Sequence, residues 1–111
     1  MVTLASTIVI PTTSRRLCAV RFVIDNCNFL FINVYLPHES SDNAETRYAE
    51  ELAEIEDIIS THSSCHLIIG GDLNVDLSRQ SANTTMLKSF CDENSLSPLS
   101  SLSLSSLSSL M

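Results

Sequence analysis

The sequence predicts an α/β fold, and three observations lead there: two β-branched and aromatic runs joined by a turn-forming cluster, a following stretch with apolar residues at helical spacing, and a short apolar run ending in Gly70-Gly71. Strand, helix and strand in that order imply a parallel crossover. With 111 residues the chain can bury one small core, and 44% apolar against 17% charged residues is a globular composition.

Thr3 to Ile10 is rich in Val, Ile and Thr and stops at Pro11, so it reads as a strand closed by a residue that cannot donate to a ladder. Leu17 to Ile24 and Phe29 to Leu36 read as a hairpin turning at Asp25-Asn26-Cys27-Asn28. The second arm, FLFINVYL, is apolar at nearly every position, which predicts a central strand covered on both faces. Pro37 ends it, and His38 to Asn43 is a polar loop. From Ala44, the residues Tyr48, Leu52, Ile55, Ile58 and Ile59 mark one face of a helix of about four turns. Asp42 and Glu45 suit its positive end, and Ser60 to Ser64 terminates it. Glu50, Glu51, Glu54, Glu56 and Asp57 read as its solvated face. Leu67 to Ile69 is a short buried strand, followed by a loop through Leu77 to Asn83 and a short helix over Thr84 to Asn94 that turns Met86 or Leu87 and Phe90 inward. From Ser97 the composition falls to Ser and Leu. Residues 97–111 are therefore a low-complexity tail expected to be disordered, behind a single unit at 1–96.

The net charge of -7 argues against tight, non-specific nucleic-acid binding, which requires several phosphates to be neutralised. The one basic cluster, Arg15, Arg16 and Arg21, reads as a solvated turn and strand start. Cys18, Cys27, Cys65 and Cys91 form no CxxC pair, which suits reduced thiols of an intracellular protein better than a zinc ribbon. His62, Cys65 and His66 lack a fourth ligand at metal-site spacing. No apolar run approaches the roughly 20 residues that span a bilayer, and the MVTLASTIVIP start has no basic residue before its apolar stretch, so a strand is expected rather than a signal peptide or membrane anchor.

The chemistry lies in His66 to Asp76, HLIIGGDLNVD. In extended chain, residues two apart share a face, which puts Asp72 and Asn74 together just past the end of a parallel strand, where open α/β sheets bind ligands. A carboxylate there can orient or deprotonate a water, and a carboxamide can donate to a phosphoryl oxygen. Gly70-Gly71 allows close approach of backbone and substrate.

Together with Tyr35-Leu36-Pro37 one crossover earlier, Gly71-Asp72-Leu73-Asn74 resembles the endonuclease/exonuclease/phosphatase superfamily, whose fold is DNase I-like and apurinic-site-endonuclease-like. RRLCAVRF, INVYLP and IIGGDLNVD are most similar to the endonuclease domain of non-LTR retrotransposons. The resemblance implies a partial DNase I-like α/β sandwich missing its N- and C-terminal strands. It also implies a hydrolase of DNA phosphodiesters, with Asp72 as catalytic acid/base, Asn74 binding the phosphate and orienting the Asp, and Tyr35 reaching the scissile phosphate. The family's Mg²⁺ is held by a Glu of an early strand, and later Asp and His residues complete its acid/base machinery. This chain supplies no match to either, so 1–96 is expected to be an inactive fragment with weak affinity for DNA and no membrane partner. Two alternatives stand beside it: a non-catalytic remnant that self-associates through an uncovered sheet edge and face, and a phosphoesterase of the same fold acting on phospholipids or inositol phosphates.

Overall fold

The turn Asp25-Asn26 takes positive φ at both residues, 49° and 67°, a backbone that Asn and Asp tolerate and that matches the twist of flanking strands. It closes a hairpin two residues tighter than the sequence suggests, because Cys27 and Asn28 join the strand and Ile24 pairs with Cys27. The structure, a computed structural model, describes residues 4–38, 42–75, 80–98 and 106–109. Its elements run β1 (Leu4–Ile10), β2 (Leu17–Ile24), β3 (Cys27–Tyr35), α1 (Ala44–Thr61), β4 (His66–Asp72), α2 (Ala82–Glu93), β5 (Leu96–Pro98) and β6 (Ser106–Ser109). The strands form one sheet in the order β1-β2-β3-β4-β6-β5. As the strand-helix-strand pattern requires, β3 and β4 are parallel and the other neighbours antiparallel.

Both helices pack on one face of the sheet. Leu17, Ala19, Leu30, Ile32, Val34, Leu67 and Ile69 point into that layer, where they meet Tyr48, Leu52, Ile55 and Ile58 of α1 and Leu87 and Phe90 of α2. Each of these large side chains contributes about 1.5–3 kcal/mol by leaving water. The helix α1 runs 18 residues, a turn longer than its apolar spacing suggests, and Asn43 opens it in left-handed conformation. The start of α2 is fixed by Ser81, whose hydroxyl accepts from Thr84 N at 3.1 Å.

Three expectations need correction. β3 is central, yet only one of its faces is covered by described residues. Val20, Phe22, Phe29, Phe31 and Ile68 lie on the other face and are only half-buried, Phe22 stacking on Phe29 with ring centroids 5.5 Å apart. An unbroken apolar run signals burial on two sides only when a second layer is present. Glu51 and Glu54 are not purely solvated either. Glu54 accepts from Thr13 N at 2.7 Å and Ser14 N at 3.1 Å, and the Ser14 hydroxyl donates to Glu51 Oε1 at 2.5 Å. The loop after β1 has backbone donors without ladder partners, and these carboxylates satisfy them. Finally, Leu96–Pro98 and Ser106–Ser109 are strands where composition predicts disorder. β6 takes the edge of β4, pairing Leu107 with Ile69. Backbone pairing asks little of side-chain complexity. Residues 99–105 and 110–111 of the tail, 39–41 and 76–79 of the two loops, and Thr3 of the first strand lie outside the described residues.

At Gly71 the backbone of β3 leaves no room for a side chain on β4. The Gly71 φ is +112°, and an added Cβ would stand 2.1 Å from the Val34 carbonyl oxygen and 2.8 Å from Asn33 Oδ1. The sequence reading gave this glycine to substrate access, whereas the space is filled by the neighbouring strand. Gly71→Ala should cost about 3 kcal/mol or more, since it combines a strained backbone with a backbone clash, and urea denaturation measures this as a lower midpoint at unchanged slope.

Candidate active site

Parallel pairing carries β3 and β4 to the same end of the sheet, with Tyr35 opposite Asp72. Partners in register present their side chains on one face. Here it is the face away from the helices, because the neighbouring Val34 and Leu36 are buried while Tyr35 is 61% exposed and Asp72 is exposed. The pairing continues one step past the strands, where Leu36 N donates to Asp72 O at 2.9 Å.

Beyond Asp72 the chain turns. Asn74 has φ of +50°, and its N–H donates to Asp72 Oδ1 at 2.9 Å. Asp72 and Asn74 therefore do not share one extended face, contrary to the alternation read from the sequence. The Asp carboxylate closes a turn over the next two residues, a habit of Asp that an alternation rule does not capture. The Asn74 side chain points back, Nδ2 donating to Leu36 O at 2.7 Å. One carboxylate oxygen of Asp72 is thereby fixed, and one of the two N–H donors of the Asn74 amide is spent on the end of the neighbouring strand.

Two residues that the sequence assigned elsewhere hold this lip. Tyr48, read as part of the apolar stripe of α1, is fully buried and donates from its hydroxyl to Leu73 O at 2.8 Å. Its one polar atom is the available signal, since a buried tyrosine hydroxyl needs a partner. Burial first, then the nearby Cys91 and Asp72, push the Tyr48 pKa up, so the hydroxyl remains a donor. Arg16, read as solvated, lies over the Tyr35 ring with Cζ 5.3 Å from the centroid, and its Nη1 donates to Tyr35 O at 3.1 Å. Its own carbonyl accepts from Tyr35 N at 2.9 Å. Side chain and backbone of Arg16 thus both bracket Tyr35.

His62 and His66 lie at the entry to β4, and Asp72 ends it six residues after His66, about 20 Å away at strand rise. His66 packs against Phe29, ring centroids 5.3 Å apart, and Arg21 Nη1 lies 3.3 Å from His62 Nδ1. Burial raises the Cys91 thiol pKa, with Asp92 adding to it. Among the described residues no group of three or more His, Cys, Asp or Glu could hold a metal ion. Asp72 is the one carboxylate that the sequence reading places at this lip, and Mg²⁺, which keeps several waters, takes one or two carboxylates together with substrate phosphate.

A mixed sheet covered by helices on one face, with candidate residues at the carboxyl end of a parallel pair, is part of a DNase I-like α/β fold. The chain is similar to the crystal structure of SmcL, with TM-score 0.57 and 17% identity over 86% of this chain and 38% of that one. It therefore spans well under half the length of SmcL. Truncated Caenorhabditis elegans TDP2 is similar at TM-score 0.45 and 19% identity, over 73% of this chain and 35% of that one. No protein-family model matches the sequence, and no curated protein matches it.

Tyr48→Phe removes the donor to Leu73 O and leaves a buried carbonyl unsatisfied. It should cost about 1–3 kcal/mol in denaturation and speed amide exchange at Asn74. The sign of its pH dependence follows from the raised pKa. The proton is held more tightly in the folded chain, so its contribution is complete below the ordinary tyrosine value near ~10 and is lost as pH climbs above it. Wild type should lose stability there, and Tyr48→Phe should flatten that limb of the pH–stability curve.

Proposed function

We propose that this chain carries part of the active site of a phosphodiester hydrolase, of the DNA endonuclease type encoded by non-LTR retrotransposons, and that it does not perform the reaction alone. The observation carrying this is the Tyr35–Asp72 pair, set in register on the open face at the carboxyl end of a parallel strand pair. In this reading Asp72 orients a water for in-line attack on phosphorus through the carboxylate oxygen that Asn74 N leaves free, and accepts its proton. Tyr35 donates from its hydroxyl to a non-bridging oxygen as charge builds there. Asn74 holds Asp72 through its backbone N–H and the end of β3 through one side-chain N–H to Leu36 O, and its second side-chain N–H donates to a phosphoryl oxygen.

Support for incompleteness comes from two sides. The chain spans 38% of the SmcL chain, and it offers no match to the early-strand Glu that the resemblance gives as the Mg²⁺ ligand. The DNA-endonuclease assignment rests on the INVYLP and IIGGDLNVD patterns. Phospholipids and inositol phosphates present the same phosphoester to the same residues. A second reading, a non-catalytic remnant acting by association, is favoured by the half-buried apolar side chains on the face opposite the helices.

Nicking of supercoiled plasmid by the purified chain with Mg²⁺, beside Asp72→Ala, tests incompleteness: equal, background-level nicking by both is expected. Clear nicking lost in Asp72→Ala would refute it. The hydrolase assignment is tested by inserting residues 17–98 in place of the equivalent segment of SmcL. A folded chimera should hydrolyse a phosphodiester with a loss of about 100-fold or more on Asp72→Ala. Equal activity of the two chimeras would remove Asp72 from the chemistry. Light scattering that shows a concentration-dependent rise in mass with no active chimera would favour the association reading.

A further inference from the structure

We propose that Arg16 is the anion-binding group of this lip, holding a phosphodiester monoanion beside the Tyr35 hydroxyl and the Asp72 carboxylate. The inference rests on the phosphodiester reading above and adds to it a residue to which the sequence reading gave no role in the site. The geometry begins with the sheet. At their ends β2, β3 and β4 lie side by side, Tyr35 bonding to Arg16 on one flank and pairing with Asp72 on the other. Cation, phenol and carboxylate therefore stand in a row across three neighbouring chain segments.

Arg16 is built into its place. The loop before it is tied to α1 through Glu54, which accepts from Thr13 N and Ser14 N, and through Glu51, which accepts from the Ser14 hydroxyl. The Ser14 oxygen in turn accepts from Arg16 N at 3.0 Å. The guanidinium then lies over the Tyr35 ring and gives one N–H to Tyr35 O. A guanidinium has five N–H donors, so this bond leaves about four in a planar fork whose shape matches two phosphate oxygens. No carboxylate among the described residues forms an ion pair with Arg16, although the chain carries 13 acidic residues. Glu51 and Glu54 bond the loop's hydroxyl and amides instead. A guanidinium that is positioned by its own loop, laid over an aromatic ring and left with most of its donors is pre-organised for an oxyanion. This contact also fixes the Tyr35 ring, so the anion and the hydroxyl are presented together.

The test reads binding and needs no turnover. The dinucleotide dTpdT, which carries a single phosphodiester, is titrated into the isotope-labelled full chain while the Arg16 Nε–Hε signal and the Tyr35, Gly71 and Asn74 amides are followed. Saturable movement of these signals is expected. Arg16→Gln should weaken binding about tenfold, the worth of one charge-assisted contact, whereas Arg15→Gln should leave it within about twofold. Arg16→Lys, which keeps the charge and loses the fork, should fall between them. Unchanged spectral dispersion away from the lip confirms that the variants fold. Equal weakening by Arg15→Gln and Arg16→Gln would reduce the effect to general charge attraction and overturn the proposal. So would dTpdT binding that is indifferent to Arg16→Gln, or the absence of saturable movement at the lip. The Asp72 chimera judges hydrolysis separately, so an inert Arg16 beside an active, Asp72-dependent chimera would sink this inference and leave the hydrolase reading standing.

Discussion

The parallel contact between β3 and β4 is the constraint on which the rest of the molecule depends. Two strands that must run the same way cannot be joined by a tight turn, so the chain spends α1 on the crossover, and that helix supplies much of the core. The same contact brings Tyr35 and Asp72 from positions far apart in sequence to one end of the sheet. It holds to the last residue because Gly71 lets the two backbones approach at a point where any side chain would meet the Val34 carbonyl.

Helix α1 then serves both ends of what it connects. Its inward face reaches the lip through Tyr48, whose hydroxyl pins the carbonyl between Asp72 and Asn74. A turn away, Glu51 and Glu54 reach the loop that leads to Arg16. Lip and loop are thus referenced to one rigid rod. Loops that carry functional groups gain precision in this way, because backbone donors that would otherwise face water are given fixed partners.

Much of the fold was legible because it is written in periodicity. The hairpin, the crossover helix, the strand into Gly70-Gly71 and the second helix all follow from apolar spacing and turn residues, and they fall within a few residues of their observed limits. What periodicity hides is the geometry at element ends. Asp72 and Asn74 looked like alternate positions of a strand, but the Asp carboxylate captures the Asn74 N–H and turns the chain. Glu51, Glu54 and Arg16 were read by their charge as solvent-facing, although each has a defined partner across 19 or more residues of sequence, a distance that no local pattern reports. Within the tail, Ser97, Pro98 and Ser106–Ser109 take strand pairing that composition does not report, because composition speaks of side chains and a free strand edge recruits backbone.

Electrostatics sets how much half of such a site can do. A phosphodiester brings a negative charge toward Asp72, which already carries one when it acts as a base. At a separation of about 4 Å and an effective dielectric near 20, that repulsion is roughly 4 kcal/mol, enough to lower occupancy about a thousandfold. Arg16, adjoining Tyr35 on the opposite flank from Asp72, offsets one such charge. In the proposed reaction, in-line attack by a deprotonated water brings a second negative charge to the phosphoryl oxygens, more than one guanidinium neutralises. On that reading the lip would gather and orient a phosphodiester, and a metal ion would supply the positive charge that lowers the barrier to cleavage.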